Sequence, residues 1–310
     1  MYESHFGLRE KPFSAIANPR FLYLSRQHRA ALSNLEYSLA EQAGITVVTG
    51  EVGCGKTTVV RYLVQEVDPS VRLGVLTNTH SGQGELLEWV CYAFGIEHDA
   101  HTPVGLYEVF VGFLLEEYSR GVRVVLIIDE AHNLNAAQLE QLRMLVNVNA
   151  DDAHLLQLIL VGQPELLSTL KQPGLRQLAQ RVVTEFHLRP LELADTLGCI
   201  RHRLEKAGGE DLRFDEAACI AVHFASGGVP RLINTLCDAA LVYGYAKGEE
   251  SITLETLLEV IDDRVAGGIL PLQVPVRDGA LDRAEFLQRV EAETRARKPR
   301  KPGRRKLSSV

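Results

Sequence analysis

Short apolar runs alternate with segments of helical spacing along the first 190 residues. The runs are rich in Val, Ile and Leu and predict five strands, at residues 45–50, 71–77, 122–128, 155–161 and 182–188. Several runs are apolar at almost every position, which is typical of strands covered on both faces. Apolar residues at helical spacing predict helices at residues 25–43, from about 56, and at 83–94, 104–119, 136–146 and 165–180. This alternation predicts an α/β fold with a five-stranded, parallel, doubly wound sheet.

The strand pattern ends at Arg189-Pro190, and helical spacing continues alone. It predicts four helices, at residues 194–207, 215–225, 230–246 and 254–265, with Asp215 and Thr253 as helix starts. We therefore predict an α/β core over residues 1–190 and a small all-helical lid over 191–268. Residues 269–294 are expected to form a linker and a short helix, and residues 295–310 a disordered tail.

The composition is that of a globular protein and excludes several other classes. The chain has 310 residues, enough for about two domains, and 46% of them are hydrophobic. Its five cysteines form no CxxC pair, which predicts buried thiols in a reducing compartment. Residues 1–13 carry charges where a signal peptide needs an apolar stretch, and no window of about 18 residues is continuously apolar. We expect a cytoplasmic protein without a transmembrane segment.

The charge is divided unevenly along the chain. The net charge is −7, from 33 basic and 40 acidic residues. Eight basic residues and no acidic residue lie between Arg295 and the end, so residues 1–294 hold 25 basic and 40 acidic residues, a net charge of −15. A flexible +8 arm suits DNA or an anionic membrane as a partner. A solubilising terminus without a partner is the alternative interpretation.

A glycine-rich turn lies between the first predicted strand and the helix near Lys56. Residues 50–57, GEVGCGKT, match GxxxxGK[ST] at every fixed position. In such a loop the backbone N–H groups surround phosphates, the lysine neutralises phosphate charge, and the threonine can ligate Mg²⁺. The motif predicts binding of ATP and Mg²⁺ by Gly50, Glu51, Val52, Gly53, Cys54, Gly55, Lys56, Thr57 and Thr58.

The third predicted strand ends at the acidic pair Asp129-Glu130. In a parallel sheet this end lies beside the phosphate loop, so we expect Asp129 to help hold Mg²⁺ and Glu130 to polarise an attacking water. The letters DEAH at 129–132 also match a helicase box, but a helicase needs a second domain of the same kind, for which the helical lid leaves no room. We therefore interpret His132 as a helix-start residue near the site.

Six segments together carry a resemblance to a known family. They are FGLREKPF with NPRFLYLSRQHRAAL, TGEVGCGKTT, LIIDEAHNL, LILVGQPEL, LRQLAQRV and GGVPRLIN. From residue 1 to about 268 the chain resembles the AAA+ ATPases of the ExeA/GspA type of the general secretion pathway. The better-known members continue into a transmembrane helix and a peptidoglycan-binding domain, and neither is expected here, which leaves at most a role peripheral to the inner membrane.

The resemblance implies further site residues. Gln163 occupies the sensor-1 position, which would orient the hydrolytic water, although many relatives have Asn there. Arg181 falls where an arginine finger would reach a neighbouring subunit, with Arg176 as the second candidate. Arg231 matches sensor 2 on the lid. Residues 21–24 would lie near the adenine base of the nucleotide. Surface ion pairs are the alternative role for Arg181 and Arg231.

The predicted activity is Mg-dependent ATP hydrolysis by a homo-oligomer, a ring or a filament that assembles with nucleotide. Three outputs are consistent with it: assembly or remodelling of an export or envelope complex with a protein partner, a DNA-associated role of the transposition-regulator or origin-recognition kind, and a nucleotide-switched scaffold. The intact Asp129-Glu130 pair argues against the scaffold, which would not hydrolyse ATP.

Cys54 lies inside the phosphate loop, so a redox switch that acts through this thiol is a further hypothesis. No metal other than Mg²⁺ is predicted, because the histidines lack HxxxH and HExxH spacing.

Overall fold

A computed structural model describes residues 1–14, 18–41, 44–68, 70–77, 85–100, 102–150, 153–209 and 214–297 of the chain. The chain forms two units. One is Ile16–Pro190, and the other combines Met1–Ala15 with Leu191–Val310.

The unit Ile16–Pro190 contains a five-stranded sheet in which every pair of neighbours is parallel. Its strands are β1 Ile45–Gly50, β2 Val71–Leu76, β3 Arg123–Ile128, β4 Leu156–Gly162 and β5 Val182–Leu188, in the order β2-β3-β4-β1-β5. The predicted α/β class and parallel five-stranded sheet are confirmed, with strand ends displaced by no more than one residue.

Helices cover both faces of the sheet, because each strand buries alternate side chains on opposite sides. Val47, Leu126 and Leu158 belong to one apolar cluster, whereas Val48 and Ile127 belong to the other. The helices are α1 Arg26–Ala40, α2 Lys56–Glu66, α3 Leu86–Phe94, α4 Pro103–Ser119, α5 Ala136–Val146, α6 Glu165–Leu170 and α7 Arg176–Ala179.

One helix prediction in this unit was wrong. A single helix was expected over residues 165–180, but the segment forms α6 and α7, separated by the 3-10 turn Pro173–Leu175. Pro173 has no N–H to donate to the preceding turn, so its ring and missing donor end α6. The predicted residues 42–43 and 83–84 of two other helices lie outside the described part of the chain.

The helical unit contains α8 Leu193–Lys206, α9 Glu216–Ser226, α10 Pro230–Lys247, α11 Leu254–Gly267 and α12 Arg283–Arg297. The two predicted helix starts act as N-caps. Asp215 accepts a hydrogen bond from the Ala218 N–H at the start of α9, and Thr253 accepts one from the Thr256 N–H at the start of α11.

The first 14 residues pack with the helical unit, although we placed them with the α/β core. Tyr2, Phe6 and Phe13 are buried there. The Arg9 N–H donates to the Ala207 carbonyl at 2.7 Å, and the Phe13 ring meets the Phe214 ring edge-on with centroids 5.9 Å apart. Burial of these apolar side chains determines where the segment lies.

The C-terminal segment contains a helix, as expected, and a short strand pair where only a linker was expected. A short antiparallel pair joins Val276–Arg277 to Ala280–Leu281, and α12 buries Phe286 and Val290. The predicted disordered tail starts at Arg295, but residues 295–297 complete α12, and residues 298–310 lie outside the described part. Among the described residues, no helix is long and apolar enough to span a bilayer.

Candidate functional site

The glycine-rich turn connects the end of β1 to the start of α2, as predicted. A Cβ atom on Gly50 would lie 2.5 Å from the Leu188 carbonyl oxygen of β5, so only glycine fits at this strand end. Gly53 and Gly55 have φ values of +82° and +97°, which side chains disfavour. The glycines are therefore required by the shape of the loop.

The loop is folded around the ammonium group of Lys56. This side chain is 6% exposed, and its Nζ donates to the Gly50 carbonyl at 2.7 Å and to the Glu51 carbonyl at 3.0 Å. Both partners are neutral carbonyls, so the positive charge has no buried counterion among them. A phosphate bound in the loop would supply that counterion, and the loop therefore fits an anionic ligand.

A hydrogen bond joins the loop helix to the third strand. Thr57 Oγ1 donates to Asp129 Oδ2 at 2.7 Å, across 72 residues of sequence. Asp129 is 3% exposed, and its Oδ1 accepts from the Glu130 N–H at 2.9 Å. The predicted magnesium ligands thus lie together, and hydroxyl and carboxylate oxygens are the donor types that Mg²⁺ prefers. No group of three or more His, Cys, Asp and Glu side chains that could hold a metal occurs in the described residues. Phosphate and water oxygens would therefore complete a magnesium site here.

Glu130 differs from Asp129 in its backbone and its exposure. Its φ of +56° and ψ of +33° place it in the left-handed region, which is rare for a residue with a side chain. Its side chain is 40% exposed, and Oε2 lies 3.5 Å from His132 Nε2. A solvent-accessible carboxylate thus stands next to a buried one.

His132 connects Glu130 with Gln163, a role that our sequence interpretation missed. His132 lies in the 3-10 turn Ala131–Asn133 and not in a helix start. Its Nδ1 accepts from the Gln163 N–H at 3.3 Å, and its Nε2 lies 2.8 Å from the side-chain amide nitrogen of Gln163. The letters DEAH were the available signal, but we weighed them only as a helicase motif.

His28 is a second residue that sequence reasoning missed. It is buried in α1, and its Nε2 lies 3.1 Å from where a Cβ on Gly55 would be. Ser25 Oγ is 2.8 Å from His28 Nδ1. The imidazole thus packs against the phosphate loop and gives Gly55 a second reason to lack a side chain. No sequence motif pointed to it.

The arginines from the resemblance lie at three places. Arg176 is exposed at the start of α7, and Arg181 is half-buried just before β5. Within the described ranges, neither side chain forms a hydrogen bond or an ion pair. Arg231 lies in the helical unit, in the first turn of α10, and is exposed. In the segment 21–24, Phe21 is buried and Tyr23 is half-buried. The contact of this segment with the adenine base stays a prediction.

Comparisons with known proteins support the fold and the loop. Residues 39–170 match the family model described as an AAA domain. The chain is 42% identical over 253 residues to the general secretion pathway protein A of Aeromonas hydrophila, an alignment that covers 81% of this chain and 46% of that protein. The chain therefore spans about half the length of this curated relative.

Solved structures of low sequence identity share the fold. The Aeropyrum pernix ORC2 protein, solved with ADPNP and ADP, superposes with a TM-score of 0.63 at 16% identity, covering 94% of this chain and 85% of that one. The Drosophila ORC bound to DNA gives a TM-score of 0.61 at 15% identity, covering 95% and 79%. At these identities the similarity extends to the fold alone.

The environment of Cys54 argues against the redox-switch hypothesis. All five cysteines are buried, and burial raises the pKa of the Cys54 thiol, against a smaller opposing effect of Lys56. Burial also raises the pKa of Cys91 to about 11 and of Cys219 to about 12. Since the thiolate is the nucleophile, these thiols are protected twice, by low accessibility and by protonation.

We predict that iodoacetamide modifies the native cysteines, Cys54 included, about 100-fold more slowly than those of the urea-unfolded chain. Mass spectrometry of tryptic peptides over time measures the rates, and the unfolded chain is the internal control. Rapid modification of Cys54 in the native protein, with loss of nucleotide binding, would restore the redox switch.

Proposed function

We propose that this chain, an AAA+ protein whose ATPase region is of the general secretion pathway protein A type, hydrolyses ATP. The observation that carries the proposal is the Thr57–Asp129 hydrogen bond. It joins the phosphate loop to the strand end that also presents Glu130, so that binding and hydrolysis residues share one sheet edge.

In this proposal residues 50–58 hold the phosphates through their backbone N–H groups. Lys56 transfers its ammonium hydrogen bonds from the loop carbonyls to phosphate oxygens. Thr57 and Asp129 would hold Mg²⁺, which when bound would supply positive charge to the phosphates.

Glu130 acts as the base. It accepts a proton from the water that attacks the γ-phosphorus, and Gln163 orients that water through its side-chain amide. The bond from the γ-phosphorus to the β–γ bridging oxygen breaks, so ADP and phosphate leave. The exposure of the Glu130 carboxylate supports this role, because the base must meet a water molecule.

A Glu130→Gln variant tests the assignment, because the amide keeps the shape but cannot accept a proton from a neutral water. We expect kcat to fall by about 100-fold or more while the nucleotide Kd stays within about threefold. Phosphate release and fluorescent-nucleotide titration measure the two quantities. Glu140→Gln is the matched control, since Glu140 is an exposed carboxylate on α5 paired with Arg143. Hydrolysis by Glu130→Gln at the wild-type rate would exclude Glu130 as the base.

The active form in this proposal is a homo-oligomer in which a neighbour completes the site. Arg181 of one subunit stabilises charge on the γ-phosphate bound by the next, and Arg231 acts as sensor 2 from the helical unit. The lack of an intramolecular partner for Arg181 in the described residues supports the first role, because its guanidinium is available to another subunit. The same holds for Arg176, which is the second candidate.

Mixing two inactive variants tests the arrangement between subunits. Arg181→Ala should bind ATP but hydrolyse it about 1000-fold more slowly. Lys56→Ala should no longer bind ATP, but its Arg181 can still contact the nucleotide of a neighbouring subunit. Mixed together, the two variants should regain measurable ATPase activity, because the Lys56→Ala subunit supplies Arg181 to its neighbour. Arg176→Ala is the control and should behave like wild type. If Arg176→Ala is the inactive variant and mixing rescues it, the finger is Arg176; no rescue in either mixture would reject a finger acting between subunits.

The pathway we favour is assembly or remodelling of an export or envelope complex through a protein partner. The similarity to the general secretion pathway protein A supports it. The protein would then act in the cytoplasm, at the inner membrane as a peripheral component.

A DNA-associated role is the second candidate, and the basic run from Arg295 favours it. Arg295 pairs with Glu291 and Arg297 with Glu216, so these two charges are already partly neutralised. The remaining six basic residues between Lys298 and Lys306 would carry the binding of a polyanion.

Two polyanions distinguish the candidates. If the second holds, duplex DNA should stimulate the ATPase activity, and the affinity for DNA should fall with salt with a logarithmic slope of up to about −5. Deletion of residues 298–310 should abolish the effect. Stimulation by anionic vesicles and none by DNA would favour the envelope role instead, with vesicles of neutral lipid as the control. Equal activity with and without both polyanions, and after the deletion, would show that the tail only solubilises the protein.

A further inference from the structure

His132 lies beside the candidate site, and the proposed chemistry gives it no role. Its side chain is 14% exposed and lies between the two groups assigned to the attacking water, Glu130 and Gln163. His132 does not belong to the phosphate loop, which consists of residues 50–58.

The hydrogen bonds of the ring determine its tautomer. Nδ1 accepts from the Gln163 backbone N–H, so in the neutral ring this nitrogen carries no proton. The proton is then on Nε2, which lies 3.5 Å from Oε2 of Glu130 and 2.8 Å from the side-chain amide nitrogen of Gln163. An amide nitrogen donates only, so the Gln163 amide must make a half-turn that exchanges its nitrogen and oxygen before it can accept from the Nε2–H. The N–H therefore points to the two side chains that would contact water.

The backbone on both sides is shaped to admit the ring. Gly162 is the last residue of β4. A Cβ atom on it would lie 3.1 Å from the backbone nitrogen of His132 and 3.5 Å from its ring Nδ1. Glu130 reaches the turn only through its left-handed conformation. Glycine on one strand end and an unfavourable backbone angle on the other thus allow the imidazole to lie between them.

We propose that His132 is a positioning residue, whose Nε2–H holds the Glu130 carboxylate and, after the half-turn of the amide, the side-chain oxygen of Gln163 in one hydrogen-bonded array. The inference rests on the proposed function, in which Glu130 and Gln163 act on the same attacking water. It adds that the base and the water-orienting amide, which come from different strands, are aligned through the imidazole and not independently.

A purely structural role is the competing interpretation. In that case the Nδ1 hydrogen bond would anchor the turn to β4, and Nε2 would be dispensable. The two roles use different ring nitrogens, so two amide variants separate them. In His132→Asn the amide is placed near Nδ1, so that it can still accept from Gln163 N–H but cannot reach Glu130. In His132→Gln the amide nitrogen reaches the position of Nε2 and can donate to Glu130.

We expect His132→Asn to lower kcat by about 10- to 100-fold, the effect of losing a hydrogen bond to a charged group, with an unchanged Kd for ADP. His132→Gln should retain more of the activity than His132→Asn. A structural role predicts the reverse order, with His132→Asn near wild type in rate and thermal midpoint. His154→Asn is the control, because His154 is an exposed histidine bonded to Asn149 and distant in sequence from the site.

A second measurement uses the nucleotide-free protein and needs no activity. Long-range ¹H–¹⁵N correlation of ¹⁵N-histidine protein, assigned by the signal lost in His132→Asn, should show the Nε2–H tautomer. Glu130→Gln should shift the Nε2 resonance, because the group facing the N–H loses its negative charge. A protonated Nδ1, or a Nε2 signal unaffected by Glu130→Gln, would overturn the proposal. A wild-type chain without ATPase activity would reject the proposed function instead, whatever the tautomer.

Discussion

The hydrogen bond between Thr57 and Asp129 depends on the strand order, and the rest of the site depends on the same order. β1 ends in the phosphate loop, β3 ends at Asp129-Glu130, and β4 ends next to Gln163. These three strands are neighbours and parallel, so their carboxyl ends lie along one edge. Ligands of open parallel sheets bind at that edge for the same reason. Only β4 lies between β3 and β1, and an order with a second strand between them would separate Thr57 from Asp129 by the width of that strand.

The edge is held in place by packing on both faces of the sheet. Alternate side chains of the central strands enter two separate apolar clusters, so no central strand can shift without opening one of them. Gly50 adds a local constraint, since its close approach to Leu188 fixes the loop against β5. This rigid support allows the loop to keep a buried ammonium group in a fixed position, where only backbone carbonyls solvate it.

The sequence predicted most of the sheet and the phosphate loop, because both depend on local patterns. Continuous apolar runs are detectable when both faces are buried, and GxxxxGK[ST] is read directly from the letters. The order of the strands was not predicted, since it depends on contacts between distant residues. The positions of residues 1–14, the break at Pro173 and the left-handed Glu130 depend on the packed structure or on a single backbone choice. His132 was missed for the same reason, because its partners are 31 residues away in Gln163 and on the other side of a turn in Glu130.

Adjacent carboxylates with opposite environments explain how one strand end can serve two tasks. Asp129 is buried and fixed by two hydrogen bonds, from the Thr57 hydroxyl and from the Glu130 N–H, so its oxygens have defined directions, as a metal ligand requires. Glu130 is turned away by its left-handed backbone and leaves a large part of its side chain in solvent, as a base that meets water requires. If Glu130 continued in the extended conformation of β3, the alternation of a strand would direct it to the opposite face from Asp129. The positive φ therefore brings the second carboxylate to the edge that the first already occupies, and the 3-10 turn that follows brings His132 to the same place.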